Sequence, residues 1–319
     1  MGTPALILPP TRDDRWTLAT QMGVTDAVVH PMNVGDGKRH YSYDELLRMA
    51  NSFRDAGLDF TVLEGSLPIT DKTKLGLEGR DAEIEEFCDL LRNLGEIGVP
   101  VLCYDWMAGI SWARTSTTVR ARGDSLVSEY DNEQMAGGPT PDIGDVSHWE
   151  LWENLEYFLE RVVPVAEEAG VKLGLHPDDP PRSEVRGTPR IVTSVEAYDR
   201  VLDVYPSEYN GVTLCQGNFA AMGADIPGTI RHFGDRINFV HFRDVRGDTE
   251  QFVETWHDNG PTDMLAAMEA YQDVGFEGPM RPDHVPTMAK ESNDNPGYET
   301  LGRLYAIGYM KGLLEQTQN

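Results

Sequence analysis

Four segments carry residues suited to metal chemistry. They are Leu175-His176-Pro177-Asp178-Asp179-Pro180-Pro181, Thr213-Leu214-Cys215, Phe239-Val240-His241-Phe242-Arg243 and Met280-Arg281-Pro282-Asp283-His284. An apolar run with strand character leads into each, over 171–175, 211–214, 237–240 and 278–280. The ligand candidates His176, Cys215, His241 and Asp283 stand 39, 26 and 42 positions apart, about one strand-plus-helix unit each time. In a parallel barrel every strand ends on the same rim, so four such positions converge there. Any one of these histidines alone reads equally well as a satisfied core residue, and Cys215 alone as a small buried one. Together, at separate strand ends, they point to a divalent-metal enzyme. Donor softness in this set favours Zn²⁺ or Fe²⁺.

Positioning these residues requires alternating strands and helices, and the rest of the chain supplies them. Segments 5–8, 25–30, 60–63 and 99–104 read as four earlier strands, which brings the count to eight. Helices are expected over 13–22, 43–56, 81–94, within 145–169 and through 301–314. Ser42 and Glu45 have capping-box spacing before the second helix, and Gly57 stops it. The pattern predicts a single (β/α)8 TIM barrel domain over residues 1–319. Long segments after strand 4 (106–147) and strand 7 (243–262) are rim insertions of the kind that cover or line a site. Trp149, Trp152 and Phe158 have helical spacing and read as core or subunit interface. His40, His148 and His232 sit in polar surroundings and read as solvated. His30 ends strand 2, where substrate contact and rim packing are equally good readings. There is no dinucleotide or phosphate-binding glycine fingerprint and no His-Glu-x-x-His helix.

Asp and Glu total 53 against 27 Lys and Arg, a formal net charge of −26, and only six of the 27 are lysines. A surface of this kind repels itself at low ionic strength. It predicts a salt-adapted, halophilic cytoplasm and argues against nucleic acid and anionic membranes as partners. No apolar run reaches membrane-spanning length. The first ten residues have no basic region and do not read as a signal peptide. Cys88, Cys103 and Cys215 are widely spaced, which fits a reducing, cytoplasmic compartment. Barrel enzymes associate through exposed helices, so a homo-oligomer is expected.

The chain resembles the mannonate dehydratase family, metal-dependent sugar-acid enzymes on a xylose-isomerase-like barrel. The matching text includes Arg80-Asp81, Val101-Leu102-Cys103-Tyr104, Trp112-Ala113-Arg114-Thr115 and His176 to Arg182. It continues with Leu214-Cys215, His257-Asp258-Asn259-Gly260, Met280 to His284 and Asn295-Pro296-Gly297-Tyr298, and covers about residues 24 to 315. The resemblance implies a hydro-lyase that takes D-mannonate to 2-keto-3-deoxy-D-gluconate plus water in hexuronate (glucuronate) breakdown. It implies Mn²⁺ held by His176, Cys215, His241 and Asp283, with His284 and Tyr298 as the acid/base pair. Mn²⁺ rests on the resemblance alone. The chain departs from the family in the segment Tyr104-Asp105-Trp106-Met107-Ala108-Gly109, where the family's text has Asn-Phe-Met-Pro, and at Gln216-Gly217-Asn218, where it is Thr-Gly-Ser.

Dehydrating an aldonic acid removes the C2 proton and the C3 hydroxyl. A divalent cation on the carboxylate and a neighbouring hydroxyl holds the developing charge, while a base and an acid move the protons. Asp283 and His284 are consecutive, so both serve one site only if the strand ends or bends there. Arg114, Arg243 and Arg281, near strand ends or rim loops, are the expected clamps for a sugar-acid carboxylate, with Arg303 just past the Tyr298 loop. His257 and Asn259 are expected substrate contacts. Asp178 and Asp179 either support the metal site or form the turn before two prolines. Which of His284 and Tyr298 is the base stays open. Two other readings stand beside the dehydratase: a metal-dependent sugar isomerase or epimerase on the same barrel, and a non-catalytic sugar-acid-binding protein.

Overall fold

The computed structural model describes residues 2–30 and 42–317, and His40 lies outside them. Eight parallel strands close into a barrel: β1 (Thr3–Ile7), β2 (Asp26–Val29), β3 (Asp59–Glu64), β4 (Val101–Tyr104), β5 (Lys172–Leu175), β6 (Asn210–Cys215), β7 (Ile237–Phe242) and β8 (Pro279–Pro282). Each pairs with its neighbours in sequence, and β1 pairs with β8 to complete the ring. Every residue of β4, β6, β7 and β8 is buried. That accounts for their continuous apolar runs, since a barrel strand is covered on both faces. Inside the ring sit Ala5, Val28, Val62, Val101, Cys103 and Phe239. The larger core lies outside it, between strands and helices. β5 and β6 approach closely because Gly174 has no side chain: a Cβ there would meet Thr213 Oγ1 at 2.5 Å.

The helices run over Asp14–Gln21, Tyr43–Asp55, Arg80–Ile97, His148–Ala169, Val195–Val204, Ile226–Phe233, Met264–Asp273 and Thr300–Thr317, with shorter pieces between. The expected capping box at Ser42 is not formed: Ser42 makes no side-chain bond to the helix backbone, and its hydroxyl donates to Glu45 Oε2 at 3.3 Å instead. A reciprocal box opens His148–Ala169, where Ser147 and Glu150 cap each other's backbone N–H. On that helix Phe158 is buried and Trp152 partly buried under Arg200, but Trp149 is 64% exposed and is not core. No helix of the described residues is long and apolar enough to cross a membrane.

The two rim insertions are not separate loops. Ser116–Arg120 and Leu126–Asp131 from the first combine with Val245–Gly247 and Gln251–Glu254 from the second in one antiparallel four-stranded sheet. The segment after β8 is tied to this sheet by a bridge from Thr287 to Leu126. The sheet therefore stands over the rim at which β6, β7 and β8 end.

Candidate active site

The four strand-end residues occupy equivalent places on the rim. His176 follows β5, Cys215 closes β6, His241 is next to last in β7, and Asp283 follows β8. Cys215 pairs in register with His241, and His241 with Arg281. Donor atoms of His176, Cys215 and His241 lie within 4.8 Å of one another. Asp283 stands beside this trio, its Oδ2 3.6 Å from His241 Nδ1. The His176 Nδ1–H donates to the Pro177 carbonyl at 2.7 Å, which leaves Nε2 with its lone pair.

A cavity of about 170 Å³ opens at this rim. His176, His241, Arg281, Asp283, His284 and Tyr298 line it, together with Glu64, Asp105, Trp112 and the exposed His30. β8 ends at Pro282, and His284 takes a left-handed φ of +45°. This turn brings Asp283 and His284 to the same cavity, with His284 Nε2 3.7 Å from Asp283 Oδ2. Val285 bridges to Gly297, which returns Tyr298 to the site, where its hydroxyl donates to Asp283 Oδ1 at 3.0 Å. Burial, and then the Asp283 charge, push the Tyr298 hydroxyl well above its ordinary value. Burial alone would raise Asp283, but Arg281 and the surrounding cationic groups hold it well below the usual carboxylate range.

The arginines are engaged by protein carboxylates. Arg281 is bidentate on Glu64, at 2.9 and 2.7 Å, and reaches Asp283 Oδ1 at 2.7 Å. Arg114 bonds Asp179 and Glu254. Arg243 bonds both oxygens of Glu254, at 2.7 and 2.8 Å, Asp179 at 2.9 Å, and Cys215 Sγ at 3.1 Å. Arg114 and Arg243 do not line the cavity. The planar forks expected for a substrate carboxylate are thus filled from within the protein. Gly217 makes room for one of them, since a Cβ there would meet the Arg243 guanidinium at 2.8 Å.

His257 and Asn259 also lie away from the cavity. His257 is buried against Phe242, and burial drives its pKa down to about 4. Asn259 is exposed, and its carbonyl accepts from Arg246. Arg303 donates to the Ile7 carbonyl. Asp179 joins the arginine network, whereas Asp178 accepts the backbone N–H groups of Ile191 and Val192. His148 contacts the Ser183 carbonyl, and His232 pairs with Asp199 at the surface. Sequence reasoning passes over Glu64 and Glu254. Glu64 ends β3 and obeys the same strand-end rule as the other rim residues. Glu254 carries no such signal.

The residues fit a divalent cation. His241 is 1% exposed, and neither ring nitrogen has a hydrogen-bond partner among the described residues. A buried orphan of that kind costs about 1–3 kcal/mol, which coordination relieves. Charge agrees. Glu64, Asp179, Glu254 and Asp283 face Arg114, Arg243 and Arg281, leaving one excess negative charge, or two when a metal replaces the Cys215 proton. A second cluster, Glu64, Cys103 and His241, shares His241. It is the poorer cradle: burial pushes the Cys103 thiol well up, and Arg281 occupies both Glu64 oxygens.

Comparison with known proteins gives a consistent picture. The family profile described as D-mannonate dehydratase (UxuA) matches residues 15–143 and 141–319. A mannonate dehydratase of Thermotoga neapolitana is 37% identical over 310 residues, covering 85% of each chain. The crystal structure of mannonate dehydratase from Streptococcus suis serotype 2 superposes with a TM-score of 0.92 at 32% identity, covering 99% of this chain and 93% of that one. A xylose isomerase domain protein from Planctomyces limnophilus shares the fold alone, with a TM-score of 0.61 at 14% identity, covering 100% of this chain and 98% of that one.

Proposed function

The chain belongs to the D-mannonate dehydratase family and is a carbon–oxygen hydro-lyase; we propose that it converts D-mannonate to 2-keto-3-deoxy-D-gluconate and water in hexuronate breakdown. The family is metal-dependent. His176, Cys215 and His241, with Asp283 beside them, would hold the cation, and we read it as Mn²⁺. The observation that carries this reading is the convergence of His176, Cys215 and His241 donor atoms beside a cavity that the two histidines line together with His284 and Tyr298. When bound, a divalent cation supplies Lewis-acid stabilisation of the charge that develops as C2–H is lost.

The protein groups supply the proton transfers. Tyr298 retains its proton under burial and the neighbouring Asp283 charge, which supports it as the acid for the departing C3 hydroxyl. His284 Nε2 then takes the C2 proton. The C2–H electrons form the C2–C3 double bond, the C3 hydroxyl leaves as water with the Tyr298 proton, and the resulting enol ketonises. Because protein carboxylates occupy Arg114, Arg243 and Arg281, a cation held by His176, Cys215 and His241 would supply the main positive charge for the substrate carboxylate. Three free, buried cysteines support a reducing cytoplasm for this enzyme.

Incubation with D-mannonate tests the reading. A keto-deoxy acid formed with loss of water supports it. A product isomeric with substrate would transfer the chain to the isomerase or epimerase reading instead.

A further inference from the structure

We propose that Glu254 is the positioning residue for His284: it fixes which imidazole nitrogen carries the proton and aims the other at the cavity. The inference rests on His284 being the proton-transfer group. Glu254 Oε1 lies 2.6 Å from His284 Nδ1, and both residues are at most 3% exposed. Arg114 Nη2, a donor, also lies 3.2 Å from Nδ1, but the carboxylate oxygen is much closer and only accepts, so Nδ1 carries the hydrogen. In the neutral ring Nε2 then keeps the lone pair, on the side of Asp283 Oδ2. In acyl-transfer triads, a buried carboxylate on Nδ1 sets the histidine tautomer in the same way.

The carboxylate is itself immobile. Arg114 Nη2 donates to the same oxygen at 2.6 Å, and Arg243 Nη1 spans both oxygens at 2.7 and 2.8 Å. Trp112 meets the imidazole edge-on with ring centroids 5.2 Å apart. The left-handed backbone at His284 fixes the direction from which the ring emerges. These restraints give the rim sheet a purpose. Glu254 is the last residue of Gln251–Glu254, from the second insertion. Arg114 comes from the first insertion, just before Ser116–Arg120. Only pairing between the two insertions puts both beside a histidine from the β8 loop.

The test uses full-length protein, with kinetics on the Mn²⁺-loaded enzyme and imidazole ¹⁵N spectra on the metal-free, histidine-labelled form. Glu254→Gln is expected to lower kcat at least about 100-fold while KM stays within about threefold. The Nδ1-protonated signal of His284, assigned with His284→Gln, is expected to be lost or mixed. A kcat within about threefold of wild type with an unchanged spectrum would overturn the proposal and leave Glu254 as a counter-charge for Arg114 and Arg243. If Glu254→Gln does not fold, Glu254→Asp keeps the charge and withdraws the acceptor by one methylene. A loss in kcat of at least about tenfold supports the proposal there, and wild-type kcat refutes it. Full turnover in His284→Gln would instead refute the assignment of His284 as the proton-transfer group, independently of the spectral result.

Discussion

Asp283 and His284 are adjacent in the chain yet serve one cavity: His284 Nε2 lies 3.7 Å from Asp283 Oδ2, across a residue with φ of +45°. In an extended strand consecutive side chains point to opposite faces. Here β8 stops at Pro282, and the left-handed turn folds the second side chain back onto the first. The residue proposed beside the metal and the one proposed for proton transfer therefore share one short loop.

Asparagine tolerates the left-handed region better than most residues. His284→Asn should accordingly fold with a melting temperature close to wild type and bind metal normally, while turnover falls by about 10²–10⁴. In D₂O it should no longer exchange the C2 hydrogen of D-mannonate. Tyr298→Phe should retain C2 exchange but release little keto-deoxy acid. Exchange lost in Tyr298→Phe and kept in His284→Asn would reverse the two roles.

The barrel and the rim residues were legible for one physical reason. Strands buried on both faces leave uninterrupted apolar runs, and a parallel ring gathers their ends. His176, Cys215 and His241 follow directly from that. The turn at His284 was also legible, as a requirement, because two adjacent side chains had to reach one site. The partners of the arginines were not. Arg114 and Arg243 have the type and place of carboxylate clamps, but Asp179 and Glu254 claim them, and Glu254 arrives through pairing between two insertions far apart in sequence. The setting of His257 was not legible either: it is buried beside the Phe242 ring, away from the cavity lining.

His257 should make the fold acid-sensitive. Burial holds its pKa at about 4, against about 6.5 in the unfolded chain. Between these values the unfolded state binds a proton that the native state does not, so stability falls as pH drops from about 6.5 toward about 4. Above about pH 6.5 the contribution is fully present. The loss amounts to about 3 kcal/mol. Urea unfolding at about pH 7.5 and about pH 4 should show His257→Gln losing less stability on acidification by roughly that amount. Parallel pH profiles for the two proteins would rule this out.

The net charge of −26 predicts a response to salt. Many surface arginines are already paired, such as Arg92 with Glu85 and Asp89, and Arg231 with Asp273, so the excess acid must be screened by solvent ions. Melting temperature and turnover should rise together as KCl increases from about 0.05 M to about 2 M. A flat profile over that range would count against a salt-adapted surface.

The proposed chemistry turns on a cation bound through Cys215 and its histidine neighbours His176 and His241. X-ray absorption at the metal edge of the loaded, full-length enzyme reads that directly. One sulfur scatterer is expected among nitrogen and oxygen, and it should disappear in Cys215→Ser. A coordination shell without sulfur in the wild type, or one whose sulfur survives that substitution, would contradict it.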